Sequence, residues 1–417
     1  MRVILLAVIA SLASLLVAPR LGAEKMPSPP WVLRQEPYVL EVTVISIEEK
    51  PGPHAGSSVW HRVRMDRIEH ATGLKVGEEI AVVSKTYNTF GTPGTRGHFG
   101  HWKGPNGLPI KGDRARLFAS GSSVLQPHFT NGWQPIEPQI AFIAADDEYR
   151  SEVTMPFLAG IVEEPLGVKT SIHLASEDGT TPKVEAKTNL TDAQAIGRAD
   201  LIVAYMRFEQ LEQAARRHFL DPLEHGIPLV AFRTTTHAFA YPAGSPDEPL
   251  NAGFGERFLG TPWRFHHGHS SKTRVLPPTD EAARHPILAG VRIPAEGIVV
   301  PSWLYHVEPL PADCRVLLWG EAINSERKDA PQNTATPKQP ILWVREQPPQ
   351  LFRGSSATPR LQRIAVTTLG HPGDFESPEV RLVAAQMIAW ANERMHTLDD
   401  AKRQAIREAA FTAPSTR

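Results

Sequence analysis

Cysteine is almost absent from this chain of 417 residues, with Cys314 the only one. A single thiol excludes an internal disulfide framework, so the fold must be held by ordinary core burial. Cys314 sits beside the apolar run Val316-Leu317-Leu318-Trp319, which marks it as a structural thiol rather than a nucleophile. An excess of either charge is also missing, with 44 Lys and Arg against 45 Asp and Glu for a net charge of −1. With no basic stripe, neither nucleic acid nor an anionic membrane surface is an implied partner. Beyond the first twenty residues no run is apolar enough to span a bilayer. There is no internal repeat, and no HExxH or similar fixed-spacing metal signature.

What is present begins with Met1-Arg2 and the apolar stretch ILLAVIASLASLLVA, which ends near Ala18 and is followed by the small pair Gly22-Ala23. A positive start, a short apolar core and a small residue at the break predict a cleaved signal over 1–23. The expected destination is the periplasm or the extracellular space. The stretch falls short of the roughly 20 residues a membrane span needs. No cysteine follows it, which argues against a lipid anchor. Residues 24–37 are rich in proline and read as a leader with little structure of its own.

From Tyr38 the pattern changes to β-branched alternation: VLEVTVISIEE, VWHRVRMDRIEH, EEIAVVSKTY and DRARLFAS. Short strands at this spacing, with no convincing helix, predict a small all-β barrel over 38–130. The phrases LKVGEEI and IKGDRARLF resemble an oligonucleotide/oligosaccharide-binding (OB) or netrin-like barrel. His98, His101 and Trp102 lie in a Gly- and Pro-rich loop, open to metal or sugar contact or to neither.

Over 137–396 apolar strands alternate with amphipathic helices. Strands are expected over 140–145, 168–175, 199–206, 227–232, 315–320, 340–344 and 363–369, and helices over 152–164, 208–226 and 380–394. A short helix over 190–197 has Thr191 or Asp192 as its expected cap. Nearly uninterrupted apolar strands imply a parallel sheet covered on both faces. A charged tail, 397–417, adds one short helix or frays.

Ligands bind such sheets outside the carboxyl ends of the strands. That rule selects Asp147, Glu148 and Tyr149 after the first strand, and Arg207 after 199–206. It also selects Arg233, Thr235 and His237 after 227–232, and His371 and Asp374 after 363–369. Paired guanidinium groups suit a carboxylate or vicinal hydroxyls; an Arg–Asp147 or Arg–Glu148 ion pair fixing the loops is the alternative. Tyr149, Trp263 and Tyr305 offer apolar ring faces for a ligand or for packing at the rim. His267 and His269, with a nearby carboxylate, are the candidate ligands of a divalent metal.

The blocks AADDEYR, YMRF, PLVAFRTTTHAF, FHHGH, HPILAGV, WLYHVEPL and TTLGHPGDF, in this order, resemble the trehalose-utilisation (ThuA-like) family. The resemblance implies a flavodoxin-like sheet related to class I glutamine amidotransferases, and a carbohydrate as small-molecule partner. Glutamine hydrolysis is not implied: the turn Arg233–His237, where an amidotransferase carries its cysteine elbow, has none. The leading expectation is an exported enzyme acting on a sugar or oxidised (keto-) sugar, with His237, His371 or Asp147 as acid or base. A non-catalytic carbohydrate-binding protein and a metal-dependent hydrolase are the alternatives.

Overall fold

The computed structural model describes residues 36–51, 57–71, 73–86, 108–109, 111–112, 114–121, 124–127, 133–134, 139–197, 199–267, 271–323, 338–350, 361–393 and 399–413. The expected signal, the leader up to residue 35, the loop with His98, His101 and Trp102, and His269 lie outside the described residues. Contacts divide the chain into two compact units, with main bodies Tyr38–Gln134 and Pro135–Arg417.

The first unit is built from β1 (Tyr38–Pro51), β2 (Ser57–His70), β3 (Glu79–Thr86), β4 (Arg114–Gly121) and β5 (Leu125–Pro127). Their order is β1-β2-β3-β5-β4, and β4 returns to β1, closing a five-stranded barrel; β6 (Trp133–Gln134) adds to β4. Register shifts between β1 and β2, at Val39/Leu40, Glu41/Val42 and Val44/Ser46, bend these long strands around the closure. Alternation turns Leu40, Val42 and Val44, and Ala115, Leu117 and Ala119, into one apolar core. On β2 the same alternation buries Val59, His61, Val63 and Met65, so an imidazole occupies a core position. His61 Nε2 donates to the Pro109 carbonyl at 3.1 Å and its ring lies 4.9 Å from that of Trp133. Burial pushes its pKa down to about 4, against the Pro109 bond.

The second unit holds β7 (Gln139–Ala145), β8 (Lys169–Ser176), β9 (Asn189–Leu190), β10 (Leu201–Met206), β11 (Leu229–Phe232), β12 (Phe265–His266), β13 (Lys272–Val275), β14 (Ile298–Val300), β15 (Tyr305–His306), β16 (Cys314–Ile323), β17 (Lys338–Gln347) and β18 (Gln362–Thr367). Ten of them form one sheet in the order β14-β13-β16-β17-β18-β11-β10-β7-β8-β9, while β12 and β15 pair separately. Only β18, β11, β10, β7 and β8 run parallel. The flank from β17 to β14 is antiparallel throughout. The apolar run in β17 reads like a parallel strand because nearly all of it is buried. Burial on both faces, not direction, sets that pattern.

Helices α1 (Ser151–Leu166), α2 (Ala193–Ile196), α3 (Gln213–Glu224), α4 (Leu250–Phe254), α5 (Asp280–Ala283), α6 (Pro378–Glu393) and α7 (Asp400–Thr412) accompany the sheet. Met155, Leu158 and Val162 of α1 pack with Leu382 and Ile388 of α6 and Ile406 of α7 on Ile140 and Phe142. Phe219 and Leu223 of α3 pack on Ala141 and Ile143, the alternate residues of β7. The parallel core is thus covered on both faces, each large apolar side chain contributing about 1.5–3 kcal/mol.

Two local expectations are corrected. The helix expected over 208–226 begins only at Gln213, because Phe208 takes a left-handed φ of 53° and Glu209 pairs its backbone with the segment around Phe239. Neither Thr191 nor Asp192 caps α2: Asp192 is left-handed with no capping bond, and Thr191 Oγ1 accepts from Leu174 N instead.

Candidate functional site

Three of the four described non-glycine residues with positive φ sit just past parallel strands: Arg150 (55°) after β7, Phe208 (53°) after β10 and Arg233 (40°) after β11. Each costs of order 1–3 kcal/mol, and such strain gathers where a fold is shaped for a purpose. The carboxyl edge of the parallel sheet is that place here.

After β7, Asp146 is buried and accepts from the backbone N–H groups of Glu148 (2.9 Å) and Tyr149 (2.5 Å) and from Thr234 Oγ1 (2.6 Å). It folds its own loop and ties that loop to the turn after β11. Burial raises its pKa despite these donors. Asp147 turns outward to Arg207 Nη1 at 2.9 Å and Lys187 Nζ at 3.2 Å, and Glu148 meets Arg207 Nη2 at 2.8 Å. Burial works to raise the Asp147 pKa, but Lys187 and Arg207 outweigh it and hold the carboxyl below its ordinary value. Arg207 is therefore engaged in the loop ion pair.

Lys187 also bonds Glu209 Oε1 at 3.3 Å and the Arg207 carbonyl at 2.9 Å. Glu209 is fully buried and its Oε2 has no partner. Burial pushes its pKa up to about 8, against the pull of Lys187. Neither Lys187 nor Glu209 is visible in the sequence as a site residue: one precedes a two-residue strand, and the other sits inside what reads as a helix.

The turn after β11 is a 3-10 helix, Arg233–His237. Its threonines are structural in their bonding. Thr234 reaches Asp146, Thr235 Oγ1 donates to the Ala204 carbonyl at 2.9 Å, and Thr236 Oγ1 donates to the Arg233 carbonyl at 3.1 Å. Thr235 is fully buried with its hydroxyl spent on β10, so the structure places it beneath the mouth. At the head of this turn, with its left-handed backbone, stands Arg233, 1% exposed. Its Nη1 donates to the Thr368 carbonyl at 3.0 Å and to that of Trp303 at 3.4 Å. The rings of Tyr149 and Tyr305 lie 4.2 and 4.7 Å from the guanidinium carbon. Gly370 allows this closeness: a Cβ there would stand 2.8 Å from Tyr205 Oη and 2.9 Å from Arg233 Cβ.

His237 packs against Phe208 (4.9 Å), Trp263 (5.2 Å) and Tyr305 (6.0 Å). Burial, helped by Arg207, Arg233 and His266, pushes its pKa down to about 3. His371 lies across Arg233 from it, its ring 6.1 Å from that of Tyr149. Burial lowers its pKa too, with Arg233 adding to the effect and Asp374 opposing it. The tautomers follow from their partners. Gly373 N donates to His371 Nδ1 at 3.0 Å, so the neutral ring carries its proton on Nε2. The Thr236 hydroxyl proton goes to the Arg233 carbonyl, so Thr236 Oγ1 accepts from His237 Nδ1 at 3.3 Å. His237 Nε2 is left with a free lone pair. One imidazole offers a donor, the other a base.

Asp374 is fully buried and accepts from Ser302 N (3.0 Å), Ser302 Oγ (2.5 Å) and Gly370 N (2.8 Å). It organises the loop that carries His371 rather than lining the mouth. Trp263 and Tyr305 do border it, and the Trp263 Nε1 is buried without a partner. Part of the sequence-selected set thus forms one contiguous patch, from His371 through Tyr149, Arg233 and Tyr305 to His237, and on through Phe208 to Arg207 and Asp147. Asp147 touches neither imidazole among these contacts.

His267 lies apart, at the end of β12, buried and with Nε2 unpartnered. Among the described residues no three His, Cys, Asp or Glu side chains gather in a way that holds a metal ion. His285 caps the turn 286–288, its Nδ1 accepting from Ile287 N. Cys314 is half-buried, and burial pushes its thiol pKa up to about 11. No described helix is long and apolar enough to cross a membrane.

No protein-family model matches the chain, and no curated protein matches it. Among solved structures, a ThuA-like protein from Parabacteroides merdae ATCC 43184 aligns at 14% identity, over 61% of this chain and 90% of its own, with a TM-score of 0.37.

Proposed function

We propose that the sheet domain is an acid–base enzyme of the ThuA-like type, acting on a sugar or keto-sugar in an exported chain. One observation carries this: two imidazoles, held neutral by burial and in opposite tautomers, stand one beside Tyr149 and one beside Tyr305, the two rings that lie against Arg233 at the carboxyl edge of the sheet. His237 Nε2 takes a proton from a carbon next to a carbonyl. The C–H electron pair moves into the carbon–carbon bond and the carbonyl pair moves onto oxygen, where His371 Nε2–H donates a hydrogen bond. Proton transfer by a positioned group contributes about 10²–10⁴-fold, and a neutral imidazole serves as such an electrophile where burial keeps it uncharged. Asp147, paired with Lys187 and Arg207, fixes the loops in this scheme instead of moving a proton. The spatial order of the five parallel strands, 2-1-3-4-5 when numbered along the chain, supports a flavodoxin-like reading with its ligand at this edge. The barrel order β1-β2-β3-β5-β4-β1 supports an OB-type reading of the first unit.

The test is a thermal-shift panel of disaccharides and their 3-keto forms, followed by product detection on every compound that shifts the melting. His237→Ala is expected to keep the shift and lose turnover by about 100-fold or more. Undiminished turnover in that variant, or a panel without a single shift, overturns the proposal.

A further inference from the structure

We infer that the ligand of this mouth carries a carboxylate, which makes the substrate a sugar acid held by Arg233. The inference rests on the reading of the mouth as a carbohydrate site and adds the charge of what enters it. A buried guanidinium is ordinarily paired with an anion, because an unpaired buried charge is costly. Arg233 is 1% exposed and makes no ion pair among the described residues, and its Nε has no partner. Its bonding partners are the carbonyls of Thr368 and Trp303 and the hydroxyl of Tyr149, none of which carries a charge. The two nearby buried carboxyl groups are spent elsewhere. Asp146 takes Glu148 N, Tyr149 N and Thr234 Oγ1, and Asp374 takes Ser302 N, Ser302 Oγ and Gly370 N. The other Arg and Lys side chains of the patch are matched, Arg207 by Asp147 and Glu148, and Lys187 by Asp147. Among the described residues of this patch, Arg233 alone of the Arg and Lys side chains makes no ion pair.

The way in is set by the tyrosines around it. Tyr205 and Tyr305 are buried at 0% and 3% exposure, whereas Tyr149 is half-buried, with the His371 ring beside it. A carboxylate entering from the Tyr149 side moves that ring aside and takes the planar fork of the guanidinium. His371 Nε2–H stands beside the same path. Carboxylate recognition of this kind is charge-assisted and discriminates strongly against a neutral amide of the same shape.

The experiment uses the full chain at low ionic strength and four probes at matched concentration: glucuronate, glucuronamide, glucose and acetate. Melting temperature and titration calorimetry are the readouts, on wild type and on Arg233→Met. Glucuronate is expected to bind about tenfold or more tighter than glucuronamide or glucose, and Arg233→Met to erase that preference. Equal binding of the three sugars overturns the inference and leaves the carbohydrate reading standing. Acetate binding as well as glucuronate supports the inference and removes the carbohydrate reading. A glucuronate preference that survives in Arg233→Met, or no binding of any probe, overturns the inference. Should Arg233→Met fail to fold, the wild-type comparison of acid with amide decides.

Discussion

His61 in the barrel and His237 at the sheet mouth look alike taken singly. Both are buried, both stand about 5 Å from an indole ring, and burial holds both neutral, at pKa values of about 4 and about 3. Their company differs. His61 sits among Val59, Val63 and Trp133 in an apolar barrel core, bonded to one backbone carbonyl. His237 is lowered further by two guanidinium groups, and a base-ready nitrogen remains on its ring. A depressed imidazole is therefore no mark of a site; guanidinium groups gathered beside it and a ring nitrogen left without a partner are.

The sharpest way to break this comparison is to remove charge from the mouth and see whether the fold depends on it. Asp374→Ala strips the acceptor from three donors and is expected to destabilise the sheet unit by about 3–5 kcal/mol, read from urea unfolding. A loss below about 1 kcal/mol would make Asp374 a ligand group instead.

Acid comes next. A histidine whose folded pKa lies below its unfolded value gives stability that is complete above pH 6.5 and lost as pH falls through the folded pKa. Both units should weaken on acidification, the barrel between about pH 6.5 and 4 and the mouth between about 6.5 and 3, each by on the order of 3 kcal/mol. His61→Phe should flatten the first window and leave the second unchanged. Turnover, if His237 is the base, should show no acid limb between pH 6 and 7.

Only the mouth should respond to alkali through a carboxyl. Glu209 has a folded pKa raised from 4.5 to about 8, so its contribution is complete below pH 4.5 and is lost as pH rises through 8. Glu209→Gln should remove that slope and gain about 2 kcal/mol over wild type at pH 8.5, seen in melting temperature against pH. The smallest effect is the control. Arg217→Ala on α3, which breaks the exposed pair with Asp221, should change stability by less than about 0.5 kcal/mol.

Much of the architecture was legible in the sequence because burial writes itself into apolar periodicity. The strands β7, β10 and β11 and the helices α1 and α6 stand close to where the pattern put them. The direction of β16 and β17 was not legible, since a strand buried on both faces carries no sign of its neighbours' polarity. At the mouth, the strand-end rule selected Arg233, His237 and His371, which the fold brings into one patch. It did not foresee that Thr235 and Asp374 face into the backbone, because hydrogen-bond partners 30 or more residues away leave no local trace. Glu209 was hidden for a related reason: a left-handed Phe208 interrupts a segment whose composition is helical.

The great sheet ends on one side in β14, which is three residues long. A visiting strand seeking unpaired backbone there finds a template too brief to hold it. That side of a ten-stranded array is thereby protected from zipping onto its own copies.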